Sequence, residues 1–214
     1  MLSSSCSMQN FSRRNLIALA LTLATPFSIM ASGSLRLEDL CTKLSFGNVI
    51  LASFTAKKKI PGVHVNLKSS GRIVLWRNHG LLWQTTSPFA ETLVFGRHKT
   101  LTLDESGTQS IHETKQIDGV IARVEAMLNE DTREIYDHFF VSLSGSSKAW
   151  RLVISPKNSS IAQYLTEICL EGTHLINRAL IVQTDTTMSE ILFHHQQILE
   201  TPPSDCMQLF TAVL

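Results

Sequence analysis

The residues able to do chemistry are few, and their spacing argues against most of it. His194-His195 and His112-Glu113 invite a metal site or an acid–base pair. Neighbours on a strand point to opposite faces, so His194 and His195 are not expected to share one ion. A serine nucleophile needs an adjacent base and, in one large class, a G-x-S-x-G elbow. That motif is missing, and Ser144-Gly145-Ser146-Ser147 reads as a hairpin tip. The four cysteines, Cys6, Cys41, Cys169 and Cys206, have neither C-x-x-C pairing nor Cys/His ligand spacing. Zinc ribbons and thioredoxin-like redox sites are thereby removed. The sequence therefore predicts no catalytic residue, no metal and no cofactor. Lys57-Lys58-Lys59 reads as a solvated strand end or as a contact for an acidic partner.

Whatever the chain does must then be done by its apolar surface. Hydrophobic residues make up 43% of its 214 residues and charged ones 17%, against roughly 25% charged in an average domain. Intrinsic disorder is excluded. With Lys plus Arg at 19 and Asp plus Glu at 18, no basic excess points to nucleic acid. The length suits one domain with a sizeable core.

The start reads as an address. Arg13-Arg14 precedes the apolar run Leu16 to Ala24, and Ala31-Ser32-Gly33-Ser34 supplies small residues for cleavage. These are the parts of a secretory signal, expected over residues 1–33. Met8 is an alternative start, and Ser12-Arg13-Arg14-Asn15-Leu16-Ile17 also resembles a twin-arginine export motif. Pro26 interrupts the run short of the roughly 20 residues a spanning helix needs. An uncleaved anchor is the lesser reading. Loss of Arg13 and Arg14 with the leader would turn the formal charge from +1 to −1. Cys41, Cys169 and Cys206 would remain, an odd number, so at least one thiol is expected unbridged.

After the leader, Leu35, Leu37, Leu40, Leu44 and Phe46 recur near helical spacing and predict a short amphipathic helix. Strands follow, over Val49–Lys57, Val63–Leu67, Arg72–Trp76, Leu81–Thr86, Glu91–Phe95 and Lys99–Leu103, separated by Gly/Ser/Asn turns. That spacing predicts an antiparallel meander. Ile117, Val120, Ile121, Val124 and Leu128 form a helical stripe, and a second short helix is expected over 131–136. Strands resume at Phe139–Leu143, Trp150–Ile154, Tyr164–Leu170, Leu175–Gln183 and Glu190–Gln196. Pro202-Pro203 is expected to close the regular part, with 201–214 as a tail. Ile73-Val74-Leu75-Trp76 is apolar on both faces, whereas a sheet with one wet face should alternate. Two architectures are open: a closed sandwich, or a curved sheet wrapped round helices.

The residues resemble those of the periplasmic lipoprotein carriers, the LolA-like family. The resemblance is carried by Phe54-Thr55 with Lys57, by Ser70-Gly71-Arg72-Ile73-Val74-Leu75-Trp76-Arg77, by Gly80-Leu81-Leu82-Trp83-Gln84 and by Pro88-Phe89. Downstream it continues in Trp150 to Lys157 and Thr187 to Phe193, and it covers about Leu35 to Ile198. It implies a mainly β fold, an incomplete barrel of one strongly curved antiparallel sheet with a few helices as a lid, over residues 34–200. It also implies a periplasmic monomer that carries acyl chains of lipoproteins or lipids. Its partners would be an inner-membrane ABC-type releasing transporter and an outer-membrane LolB-type acceptor. Arg77 matches the family arginine that locks the lid. Leu81 and Trp83 match wall positions, with Phe54, Leu75, Leu93 and Phe95 expected beside them. The family's usual proline after the arginine is Asn78 here, and its later Trp/Tyr-containing strand is reduced to Lys99–Leu103. Rival readings are an exported acyl-ester hydrolase and a β-sandwich interaction module.

Overall fold

A computed structural model describes residues 35–44, 47–96, 98–113 and 132–214. The expected leader over 1–33 and the helical stripe from Ile117 to Leu128 lie outside the described residues. Eleven strands form one antiparallel sheet: β1 Val49–Lys59, β2 Leu67–Trp76, β3 Gly80–Ser87, β4 Glu91–Phe95, β5 Lys99–Leu103, β6 Gln109–Glu113, β7 Phe139–Ser146, β8 Ala149–Pro156, β9 Leu165–Gly172, β10 Ile176–Gln183 and β11 Met188–Leu199. Their spatial order is β6-β5-β4-β3-β2-β1-β11-β10-β9-β8-β7. The two meanders are joined by the long β1–β11 pair, and β6 and β7 remain as separate edges. The sheet is an incomplete barrel, mostly β, as expected, and the closed sandwich is set aside.

Among the described residues four short helices accompany it: α1 Leu37–Leu44, α2 Thr132–His138, α3 Ser159–Ala162 and α4 Ser204–Thr211. In α1, Leu37, Leu40, Cys41 and Leu44 are buried at i, i+3, i+4 and i+7. Glu38 and Asp39 in the first turn and Lys43 in the last complement the helix dipole. The stripe packs on one face of the sheet with Ala52, Phe54, Ile73, Leu75, Leu81 and Phe95, and with Phe139, Trp150, Leu152 and Leu170 from the other meander. Ile135 of α2 joins the same core.

The opposite face carries a second buried apolar cluster over β1 to β5. There Val49, Val74, Leu82, Val94 and Leu101 pack against Cys206, Phe210 and Val213. This resolves the continuous run Ile73 to Trp76: Ile73 and Leu75 face α1, while Val74 and Trp76 face α4. Over β8 to β11 the same face mixes Val153, Cys169, Leu180 and Leu192 with charged residues. A ladder runs Arg151 to Glu171 (2.8 Å), Glu171 to Arg178 (3.0 Å) and Arg178 to Glu190 (2.8 Å).

Several expectations need correction. Val63–Leu67 is not a strand; residues 60–66 form the tip of the β1–β2 hairpin, and β2 starts at Leu67. Strand β6 has no counterpart in the sequence reading, because all five of its residues are exposed and leave no alternation to see. The segment after Pro202-Pro203 is not an unstructured tail. Pro203 opens α4, and Cys206 and Phe210 are fully buried.

Candidate functional site

All six expected wall residues lie on the face that α1 covers, but at two depths. Phe54, Leu75, Leu81 and Phe95 are buried. Trp83 and Leu93 are half-buried and pack at the margin of that core with Val141, Ile181 and Phe193. Register accounts for the grouping. Leu81 pairs with Phe95 and Trp83 with Leu93 across β3 and β4, and Phe54 pairs with Phe193 across β1 and β11. Strand alternation then carries each pair to the same side.

Phe54 and Trp83 come from strands separated by β2, yet their ring centroids are 4.3 Å apart at 39°. Gly71 of β2 pairs with Phe54 and lies beside a register shift against β3. With no side chain at Gly71, the two rings meet over the middle strand. A Cβ there would stand 1.9 Å from Gln84 O, so the close approach of β2 and β3 demands glycine.

Arg77 stands in the β2–β3 turn and reaches the end of α1. Its Nε donates to Gly47 O (3.1 Å), beyond the helix, and its Nη2 to Leu44 O (3.4 Å), a carbonyl that the helix end leaves without an intrahelical donor. Its backbone N–H donates to Asn48 O at 2.9 Å. Asn78 follows at φ 62°, a left-handed conformation that asparagine tolerates and proline, fixed near −65°, cannot adopt. The turn geometry accounts for the departure at this position. On the other side of α1, Lys43 Nζ donates to Ser147 O in the β7–β8 turn.

The remaining candidates fall elsewhere. Trp76 faces α4, stacked on His79 at 3.7 Å and edge-on to Phe210 at 5.5 Å. Trp150 is buried, its Nε1 donating to Thr173 O at 2.9 Å. His194 and His195 do not point to opposite faces as expected. A bulge opposite Leu51 and Ser53, with His195 at φ 49°, turns both rings toward β1. His195 Nδ1 lies 3.0 Å from Ser53 Oγ, and His194 Nε2 lies 3.2 Å from Thr55 Oγ1. Among the described residues no third ligand joins them in a metal-binding group.

An open hollow of about 410 Å³ lies at the ends of β7 to β10, lined by Trp150, Arg151, Glu171, Thr173, Asn177 and Arg178. Charged side chains stand at its rim, but the surface it exposes is mostly apolar. It is on different strands from Trp83 and Leu93.

Cys41, Cys169 and Cys206 are buried and form no disulfide. Burial, and then the Glu38 charge, push the Cys41 thiol up to about 11. Burial raises Cys169 and Cys206 as well, so none is an activated nucleophile. The residues that the sequence reading missed are Lys43, Cys206 and Phe210. The spacing of Cys206, Phe210 and Val213 at i, i+4 and i+7 was the available signal for α4.

No family model matches the chain in sequence, and no curated protein does. In fold it is similar to a LolA superfamily protein from Nitrosomonas europaea, at 9% identity over 80% of this chain and 97% of that one, with a TM-score of 0.49. A DUF1329 family protein from Desulfovibrio piger gives 11% identity over 83% and 96%, TM-score 0.48. A putative outer membrane lipoprotein-sorting protein domain from Vibrio parahaemolyticus gives 8% identity over 83% and 97%, TM-score 0.48.

Proposed function

We propose that the chain is an exported, non-enzymatic carrier that takes acyl chains of lipids or lipoproteins against the inner face of its sheet and passes them between membranes. The observation that carries this reading is the apolar face under α1. It is continuous from β4 through β1 to β8, and at its margin Trp83, Leu93, Val141, Ile181 and Phe193 are half-buried against one another's strands. Such side chains have apolar area left to cover, and a hydrocarbon chain is the ligand that covers it without needing polar partners.

The energetics suit a carrier. At roughly 0.8 kcal/mol per CH₂, a chain of about sixteen carbons gains on the order of 12 kcal/mol on leaving water. Such a chain does not cross an aqueous space unescorted. Release then needs a cover that can open, and α1 is a short helix held at its end by polar contacts from Arg77 and Lys43. Arg77 is the residue we assign to locking it. Leu81 and Phe54 would form the floor on which α1 rests, and Trp83 and Leu93 the part of the wall that meets the ligand.

Native mass spectrometry of protein purified from the periplasm without detergent tests the reading. Co-purifying acylated species would support carriage and identify the cargo. Protein of bare polypeptide mass, with no uptake of added palmitoyl lipid, would contradict it.

A further inference from the structure

We propose that the β1–β2 hairpin docks on an anionic phospholipid surface, with its apolar tip entering the headgroup layer. The hairpin from Lys57 to Lys68 carries Lys57, Lys58, Lys59 and Lys68 and no acidic residue, in a chain whose overall charge is close to zero. Alternation along β1 puts Lys57 and Lys59 on one face and Lys58 on the other, so the charges ring the hairpin rather than line one side.

The arrangement is held at a cost. Lys57 sits directly across from Lys68 in the β1–β2 register, a like-charge pair that destabilises a sheet. On the other side Lys57 is opposite Glu190, but that carboxylate is taken by Arg178 at 2.8 Å. Asp185 in the β10–β11 turn holds the Thr187 backbone N–H at 2.9 Å. Among the described residues, none of the four lysines forms an ion pair.

Beyond this collar the tip is apolar and exposed. Val65 is 66% exposed, and Val63 and Leu67 lie on either side of it at alternate positions. The tip turns at Pro61-Gly62, where Gly62 has φ 78°. Phe89, 71% exposed, stands in the β3–β4 turn at the same end of the sheet, and Met188 is opposite Lys59. Exposed apolar side chains beside a cluster of unneutralised lysines match the two layers of an anionic bilayer surface, charge outside and hydrocarbon beneath. An acidic protein would complement the collar but leave the tip in water.

The test uses the full chain with Val65→Trp, and separately Lys148→Trp in the β7–β8 turn at the opposite end, mixed with vesicles of brominated phosphatidylglycerol or brominated phosphatidylcholine. The expected result is a blue shift and quenching at position 65 on phosphatidylglycerol and none at position 148. Joint Lys58→Gln and Lys59→Gln substitution should weaken that binding about 25-fold, at about fivefold per lysine. Unchanged emission at position 65, equal quenching at 65 and 148, or equal quenching by the two lipids would overturn the proposal. Quenching is read as the difference from the unsubstituted chain, whose Trp76, Trp83 and Trp150 emit in every sample; uptake by the inner face cancels in that difference, so the proposal can fail while the carrier reading stands.

Discussion

Arg77 and Ser147 stand on turns six strand positions apart in the sheet, yet both are bonded to neighbouring residues of one helix. The Arg77 guanidinium donates to Leu44 O, and Ser147 O accepts from Lys43 Nζ. In a flat sheet those turns would be about 29 Å apart, at about 4.8 Å per strand. Side chains of lysine and arginine length cannot bridge that gap from adjacent Cα atoms. The sheet must therefore curl until its two meanders meet over α1, and the end of α1 is where they are tied together.

Arg77→Ala should free that end. It removes charge-assisted hydrogen bonds, a class worth about 1.5–3 kcal/mol each net of water at good geometry. Hydrogen exchange of the α1 amides should rise by about tenfold or more, while the strands of β1, β2 and β11 stay protected. Protection of α1 equal to that of the unsubstituted protein would show that Arg77 does not hold the helix. Lys43→Met, added to Arg77→Ala, should raise α1 exchange further.

Leu81→Glu is not a clean probe of ligand binding. Leu81 is 2% exposed in the core beneath α1, and an unpaired carboxylate there destabilises the fold. Leu93→Gln and Trp83→Ala are the informative substitutions. Each should weaken binding of a fluorescent fatty acid by about tenfold or more, with a Tm lowered by a few degrees only. Unchanged binding in both variants would remove these two residues from the wall.

Phe210→Ala tests the opposite layer. Phe210 is fully buried and edge-on to Trp76, so its loss should cost about 3–5 kcal/mol in chemical denaturation. A change below about 1 kcal/mol would mean that α4 is a loosely held appendage.

The Arg72–Asp205 pair ties the start of α4 to β2 at 2.5 Å. This hydrogen bond from Arg72 holds the Asp205 carboxyl below its ordinary range. A carboxyl depressed in the folded state contributes stability above the unfolded pKa of about 3.9, and that contribution disappears as pH falls through the folded value. α4 should therefore loosen below about pH 4. Asp205 is more than half exposed, so the effect is small and shrinks with salt. An acid titration of α4 amide exchange should show the step, and Asp205→Asn should abolish it. A step retained in that variant would assign it to another group.

Much of the fold could be read from local pattern, and what escaped has physical causes. Ile73-Val74-Leu75-Trp76 announced two apolar faces because both sides of one strand carry hydrocarbon. It could not say that α1 covers one and α4 the other, since that depends on contacts distant in sequence. The α4 pattern Cys206, Phe210, Val213 spans barely two turns after a proline pair, and Pro202-Pro203 masked it. In the site, alternation put Leu81 and Trp83 on one face. Their different depths, packed floor and half-open margin, are set by tertiary packing, which alternation does not carry. The bulge that turns His194 and His195 to the same side needed Ser53 and its register against β11, which no strand period reveals.

The central claim is that hydrocarbon lies against the inner face of the sheet. Loading the protein with a diazirine-bearing palmitate, irradiating it and mapping the adducts by peptide mass spectrometry tests this most directly. The account predicts adducts on the strands bearing Trp83, Leu93, Ile181 and Phe193. Absence of labelling, or labelling confined to the α4 side at Val74, Leu82 and Phe210, would contradict it.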